Sequence, residues 1–237
     1  MSPVIVIPTY CERPNIEHVI RGIRDHVEAD IVIVDDSSPD ETGVFVEQLK
    51  HADPRLHLIS RPRKLGFASA YIEGLTWALE RGFDPILQMD SDFSHDPRHL
   101  TNLIKQTENY DVVIGSKYVE GGAVTGLSWW RKALSRFGNI YVHWVFSLKS
   151  PAYSLRDSTS GYIAWRQEFL ARIPLSLIRC KGYGFLVELK WEAFRMGARF
   201  HEEPIVFCDR VNGCSKLTVG ILWEVLLLPW RLLTFRL

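Results

Sequence analysis

Residues 31–40 read Ile-Val-Ile-Val-Asp-Asp-Ser-Ser-Pro-Asp. Four consecutive β-branched residues are too short a run for a helix and suit a strand buried on both faces. The acidic pair ends that run, and Ser-Ser-Pro-Asp is a helix-start signal with Ser38 or Asp40 as the cap. A buried strand handing over to a capped helix is one βα unit, and the pattern repeats on both sides. Upstream, residues 4–8 read as a strand and 14–27 as a helix. Downstream, helices are expected over 40–50, 66–81 and 97–109, with strands over 56–60, 85–89 and 111–116 between them. Such alternation implies an α/β fold with a mostly parallel central sheet flanked by helices, right-handed crossovers, and a ligand site outside the carboxyl ends of the strands.

After residue 116 the pattern changes. A glycine-rich turn (Gly121, Gly122, Gly126) leads to an aromatic-rich helix over 128–148, then a strand over 157–165, a helix over 185–196, a strand over 199–207 and an apolar terminal helix. These look like additions to the sheet. With 237 residues, 46% of them apolar and 24% charged, the chain matches ordinary globular proteins, which excludes disordered, collagenous and coiled-coil classes. One domain over 1–237 is the simplest division: a first part (1–116) of alternating strands and helices, a second part (117–214) and a terminal amphipathic helix (215–237). The 28 basic and 28 acidic residues balance, so no bulk charge favours nucleic acid, and none is expected as a partner. The four cysteines are scattered without a C-x-x-C spacing and read as reduced thiols. The first ten residues lack the basic start and apolar length of an export signal. Near the end, Glu224, Pro229, Arg231 and Arg236 interrupt the apolar run, which favours a helix lying on a surface over a span.

The sharpest chemical feature is Asp90-Ser91-Asp92, directly after the apolar run 86–89. Two carboxylates one residue apart in the turn after a strand can share a hard divalent cation, and such a cation can bridge the phosphates of a nucleotide-sugar. D-x-D is a common tripeptide, and its place at a strand end is what separates it from a solvated turn. For Asp35-Asp36 and Asp40, helix capping and contact with a ribose or base both stand. Tyr10 and Glu12, just before a helix start, suit either an ordinary capped turn or a stacked base with a held sugar. His95 reads as an exposed loop residue, because Asp96-Pro97 opens a helix.

Three stretches, 4–12 (Val-Ile-Val-Ile-Pro-Thr-Tyr with Glu12), 32–40 and 89–92, resemble the family-2 inverting glycosyltransferases of GT-A (Rossmann-like) fold. The second half narrows the resemblance. Gly115-Ser116-Lys117-Tyr118, Trp130-Arg131-Lys132, Asp157-Ser158-Thr159-Ser160-Gly161-Tyr162, Gly182 to Phe185 with Glu188, Glu203-Pro204-Ile205, and Asp209-Arg210 with Ser215-Lys216-Leu217 are similar to the dolichyl-phosphate mannosyltransferases. The resemblance implies transfer of mannose from GDP-mannose to dolichyl or another polyprenyl phosphate, with inversion, giving a β-linked lipid-phosphate mannose.

It also implies roles. Pro8, Tyr10, Glu12, Asp36 and Asp40 would line the guanosine pocket, with Ser91 in the substrate-binding set. Asp90 and Asp92 would hold Mg2+ or Mn2+, while Arg210 and Lys216 would close over the phosphates and Arg131 would receive the acceptor phosphate. Asp92, Arg131 and Arg210 are the candidate catalytic residues. Two positions depart from the family. Ser94, counted with Asp90 and Asp92 as a candidate metal ligand, stands where a longer metal-ligating Gln is usual, and Lys117, a candidate phosphate contact, stands where Arg is usual and lacks its bidentate fork. The aromatic helix (Trp129, Trp130, Tyr141, Trp144, Phe146) and the C-terminal helix would lie on a membrane at its cytosolic face, the endoplasmic reticulum in a eukaryote or the plasma membrane in a prokaryote. Some family members use a small membrane subunit and others carry their own spans, so such a partner stays open. A polyprenyl-phosphate glucosyltransferase using a UDP-sugar, and a non-catalytic subunit of a glycosylation complex, are the alternatives.

Overall fold

A computed structural model of the chain describes residues 2–180, 182, 184–209 and 219–234, with side chains in the last helix from residue 226 onward. The elements in order are β1 (Val4–Thr9), α1 (Ile16–Arg24), β2 (Asp30–Asp35), α2 (Thr42–Lys50), β3 (Leu56–Ser60), α3 (Phe67–Glu80), β4 (Ile86–Gln88), α4 (Leu100–Gln106), β5 (Val112–Ser116), β6 (Ala123–Thr125), α5 (Trp129–Lys149), β7 (Ile163–Trp165), α6 (Gln167–Leu170), α7 (Gly184–Arg195), β8 (Phe200–Pro204), β9 (Val206–Cys208) and α8 (Val219–Thr234). A seven-stranded sheet runs β3-β2-β1-β4-β7-β5-β8, and β6 pairs with β9 apart from it. Every pair in the large sheet is parallel except those of β7, which lies antiparallel between β4 and β5.

Strand alternation splits the core in two. Val4, Val6, Val32 and Val34 belong to the core shared with α3 and α7, whereas Ile5, Ile7, Ile31 and Ile33 belong to the one shared with α1, α2 and α4. Both faces are covered, which is why these strands read as unbroken apolar runs. Helix α1 shows the matching pattern: Ile16, Val19, Ile20 and Ile23 form its buried stripe, and Glu17 at its start and Arg24 at its end suit the helix dipole. Helix α3 comes unusually close to the sheet through Gly74, where a Cβ would stand 2.4 Å from Val6 Cγ1.

Three expectations are corrected. Only Ile163–Trp165 of the 157–165 segment is a strand. Residues 157–160 instead spend their polar groups outside any strand ladder: Thr159 Oγ1 donates to Asp157, Ser160 Oγ to the Gly115 carbonyl, and the Asp157 amide to Glu202. The 199–207 strand breaks at Ile205, whose amide bonds to Ser116 and whose carbonyl accepts from Ala123, so β8 and β9 enter different sheets. The 97–109 helix opens as a 3-10 turn (Pro97–His99), capped by Asp96 accepting from the Arg98 amide. Among the described residues, no helix is long and apolar enough to cross a membrane.

Candidate active site

The loops at the carboxyl ends of β1, β2, β3 and β4 converge on a cleft of about 220 Å³ lined by Pro8, Thr9, Tyr10, Glu12, Asp36, Lys64, Gly66, Phe67, Ala70, Asp90, Ser91 and Asp92. The backbone around it is under constraint. The described non-glycine residues with positive φ are Cys11, Ser37, Glu41 and Phe93, all in the loops after β1, β2 and β4. Such residues disfavour the left-handed region and persist where surrounding bonds fix them.

Those bonds are present. The first two loops are laced together: Ser38 Oγ accepts from the Cys11 amide, Thr42 Oγ1 from the Glu12 amide, and Asp40 Oδ2 from the Arg13 amide. Asp40 also accepts from the Thr42 amide and hydroxyl. Burial pushes its pKa up, but these hydrogen bonds outweigh it and hold the carboxyl below the usual range. Asp40 therefore braces the cleft from outside and is not part of its lining.

Asp36 plays the corresponding part for the β3–α3 loop. Its carboxylate accepts from the Leu65 and Gly66 amides at 2.7 Å and pairs with Arg61 at 2.9 Å, both side chains being nearly fully buried. Asp35, one residue earlier, accepts from Thr9 and Ser38 hydroxyls.

On the β4 side, Asp90 accepts from the Tyr71 hydroxyl at 2.9 Å, and Asp92 Oδ1 accepts from the Ser94 amide and, at 2.6 Å, from its hydroxyl. Ser94 thus stands behind Asp92 and outside the cleft lining. His95 is not exposed, contrary to expectation: it is 2% accessible, stacks on Tyr162 at 4.8 Å, and its Nδ1 accepts from the Asp90 amide. That bond assigns the proton to Nε2. Burial pushes its pKa down despite the nearby Asp90 and Asp92, so a neutral imidazole clamps the backbone of the acidic turn.

Asp90 and Asp92 suit a divalent cation. No group of three or more His, Cys, Asp or Glu that would cage a metal occurs among the described residues. Two oxygen donors in a cleft that leaves the remaining positions to substrate and water is how Mg2+ and Mn2+ sites shared with phosphates are built.

The structure brings Pro8, Tyr10, Glu12, Asp36, Asp90, Ser91 and Asp92 together and leaves four expected residues outside the cleft lining: Asp40 and Ser94, described above, and Lys117 and Arg131. Lys117 is buried and paired with Asp157 at 3.0 Å, and Arg131, in the first turn of α5, pairs with Asp209 at the same distance. Arg210 and Lys216 lie outside the described residues. Sequence reading overlooked Lys64, Gly66 and Phe67, although the run Arg61-Pro-Arg-Lys-Leu-Gly66 between a strand and a helix carried a signal.

A mostly parallel sheet with a D-x-D after its fourth strand and a cleft at the carboxyl ends of its strands is the build of a GT-A glycosyltransferase. The chain belongs to glycosyl transferase family 2, whose sequence model matches residues 4–170. It is 39% identical over 225 residues to an undecaprenyl-phosphate mannosyltransferase of Micrococcus luteus, covering 94% of this chain and 90% of the relative. It is 38% identical over 218 residues to a polyprenol monophosphomannose synthase of Mycolicibacterium smegmatis, covering 91% and 80%. Among solved structures, a glucosyl-3-phosphoglycerate synthase from Mycobacterium tuberculosis with Mg2+ and UDP aligns with TM-score 0.65 at 18% identity, over 98% of this chain and 76% of that one. A Pyrobaculum calidifontis mannosyltransferase with GDP-Man and Mn2+ aligns with TM-score 0.58 at 19% identity, over 89% of this chain and 57% of that one. At these identities the two structures share the fold with this chain.

Proposed function

We propose that the protein transfers mannose from GDP-mannose to a polyprenyl phosphate of the dolichyl or undecaprenyl kind, inverting the anomeric carbon to give a β-linked product. The observation that carries this reading is Asp90 and Asp92 standing in one cleft with Tyr10 and Glu12, in a chain similar along nearly its whole length to mannosyltransferases acting on lipid phosphates.

Tyr10 and Pro8 offer flat surfaces for the base, and Glu12 an acceptor for its N–H groups or a ribose hydroxyl. Asp90 and Asp92 would hold Mg2+ or Mn2+, which when bound supplies positive charge against the departing diphosphate. A phosphate acceptor is already anionic near neutral pH, so the site has little need of a general base. Its main task is to align that oxygen behind the anomeric carbon. Arg131 can receive the acceptor phosphate by exchanging its Asp209 partner for it.

The acceptor is a lipid, and the surface beside Arg131 suits one. Helix α5 exposes Trp129, Trp130, Phe137, Ile140, Trp144 and Leu148, and α8 adds Leu226, Leu227 and Trp230. The two helices are joined, Tyr141 donating to the Leu226 carbonyl and accepting from Trp230 Nε1. We assign this face to the cytosolic surface of a membrane, peripherally bound, with aromatic rings at head-group depth.

The test is sugar transfer from labelled GDP-mannose, UDP-glucose and UDP-N-acetylglucosamine to a short polyprenyl phosphate in detergent, with Mg2+ or Mn2+ and with chelator. Chelator-sensitive mannose transfer is expected. Transfer from a UDP-sugar alone, or from none of the donors across lipids and detergents, overturns the assignment. Co-sedimentation with anionic liposomes, reduced by Trp144→Ser with Trp230→Ser, checks the membrane face.

A further inference from the structure

From residue 121 to 156 the sequence holds five basic residues and no aspartate or glutamate, although over the whole chain 28 basic and 28 acidic residues balance. Helix α5 carries four of the five: Arg131, Lys132, Arg136 and Lys149. Two of these are engaged. Arg131 pairs with Asp209, and Lys149 Nζ donates to the Leu233 carbonyl near the end of α8. Lys132 and Arg136 are exposed and make no ion pair among the described residues; the Arg136 guanidinium rests against the Tyr118 ring, 5.2 Å from its centroid. One turn apart, they stand by helical spacing along one edge of the exposed row Trp129, Phe137, Ile140 and Trp144.

We propose that this edge of α5 binds the head groups of anionic phospholipids, so that the protein selects negatively charged bilayers over zwitterionic ones; the proposal rests on the membrane face assigned above. Charge complementarity carries it. A chain without net charge has no overall pull toward an anionic surface, and these two cations supply one locally, within a Debye length of the lipid. Their stems can lie over the apolar row while the charges reach phosphate depth, beside rings held at the head-group level. A zwitterionic surface gives the aromatic row the same burial but gives the cations no net charge to meet. Position matters as well. Lys132 and Arg136 lie with Arg131 in the first two turns of α5, so the surface charge draws down the end of the helix where the acceptor phosphate has to be met.

The experiment measures co-sedimentation of the full chain with vesicles of phosphatidylcholine alone and with about 30% phosphatidylglycerol, both free of polyprenyl phosphate so that the acceptor plays no part. Wild type is expected to bind the anionic vesicles more tightly, and about 0.5 M NaCl to remove most of the difference. At about 5-fold per basic residue near a charged surface, Lys132→Gln with Arg136→Gln should bind the anionic vesicles about 25-fold more weakly and leave the zwitterionic ones unchanged. Trp144→Ser with Trp230→Ser should weaken both alike. Equal affinity of wild type for the two compositions overturns the proposal and leaves the membrane face standing. So does a glutamine pair that loses nothing on the anionic vesicles, or loses equally on both. Binding of wild type to neither vesicle overturns the membrane face along with it.

Discussion

Lys190 offers the sharpest test of how the second half of the chain is held together. Its side chain is fully buried on α7, and its ammonium donates to the carbonyls of Ser158 at 3.0 Å, Ser160 at 2.6 Å and Leu186 at 3.3 Å. Two of these carbonyls belong to the loop that carries Asp157, the partner of Lys117. Burial, resisted by Asp157, pushes the lysine pKa down from 10.5 to about 7. Lys190→Met keeps the length of the side chain and removes the donors.

With Ser158 and Ser160 each losing a buried partner at about 1–3 kcal/mol, the variant is expected to lose about 3 kcal/mol at pH 8.5. The pH dependence has a definite sign. Between the folded and unfolded pKa the unfolded chain holds the extra proton, so wild-type stability rises with pH across that window. From pH 6.5 to 8.5 this contributes about 2 kcal/mol, and the variant, lacking the group, does not follow. Urea denaturation of both proteins at the two pH values measures it, other titrations cancelling in the difference. A deficit of about 1 kcal/mol at pH 6.5 that grows to about 3 at pH 8.5 is expected. A deficit that stays constant or shrinks with rising pH refutes the reasoning, because Lys190 would then keep its proton throughout.

Asp92→Asn retains the bond from Ser94 and lowers the charge facing the cation; it should reduce kcat/KM for mannose transfer about 100-fold with Tm within about 3 °C of wild type, and equal activity would sink the metal assignment. Arg61→Met strands the buried Asp36 carboxylate and should cost about 3–5 kcal/mol in urea denaturation; a loss under 1 kcal/mol would show that the amides of Leu65 and Gly66 suffice. Gly74→Ala puts a methyl into Val6 and Val34 and should destabilise by about 1–3 kcal/mol, with a neutral result meaning that α3 can lift from the sheet at no cost.

The parallel half of the fold was legible because strands buried on both faces have to be continuous runs of Val and Ile, as at 4–7, 31–34 and 112–114. The D-x-D was legible for a related reason, since it follows directly on such a run. His95 was not. Its neighbours Ser94 and Asp96 are polar, and what buries it is Tyr162, a partner delivered by a distant segment. Lys64 was missed although the basic run was visible, because nothing local says that the β3–α3 loop folds over against Tyr10. Strand β7 escaped notice as a central strand for the same reason: three residues after a polar loop carry no periodicity, and its antiparallel register depends on both neighbours.

That strand governs the order in which the molecule can be made. The middle of the sheet exists only after residue 165 has left the ribosome, since β4 and β5 never touch one another and each waits for β7, with Trp165 Nε1 fastened to Gln88 at 2.8 Å. A chain ending at 116 would carry the four strands β1 to β4 with β4 open as a second edge besides β3, and β5 with nowhere to pair, a template for aggregation. The nucleotide-side half is therefore no detachable module. Fragments cut between β5 and β7 should regain the fold only when the second supplies its strand to the first, late and over a long span of sequence, which is the slow kind of closure.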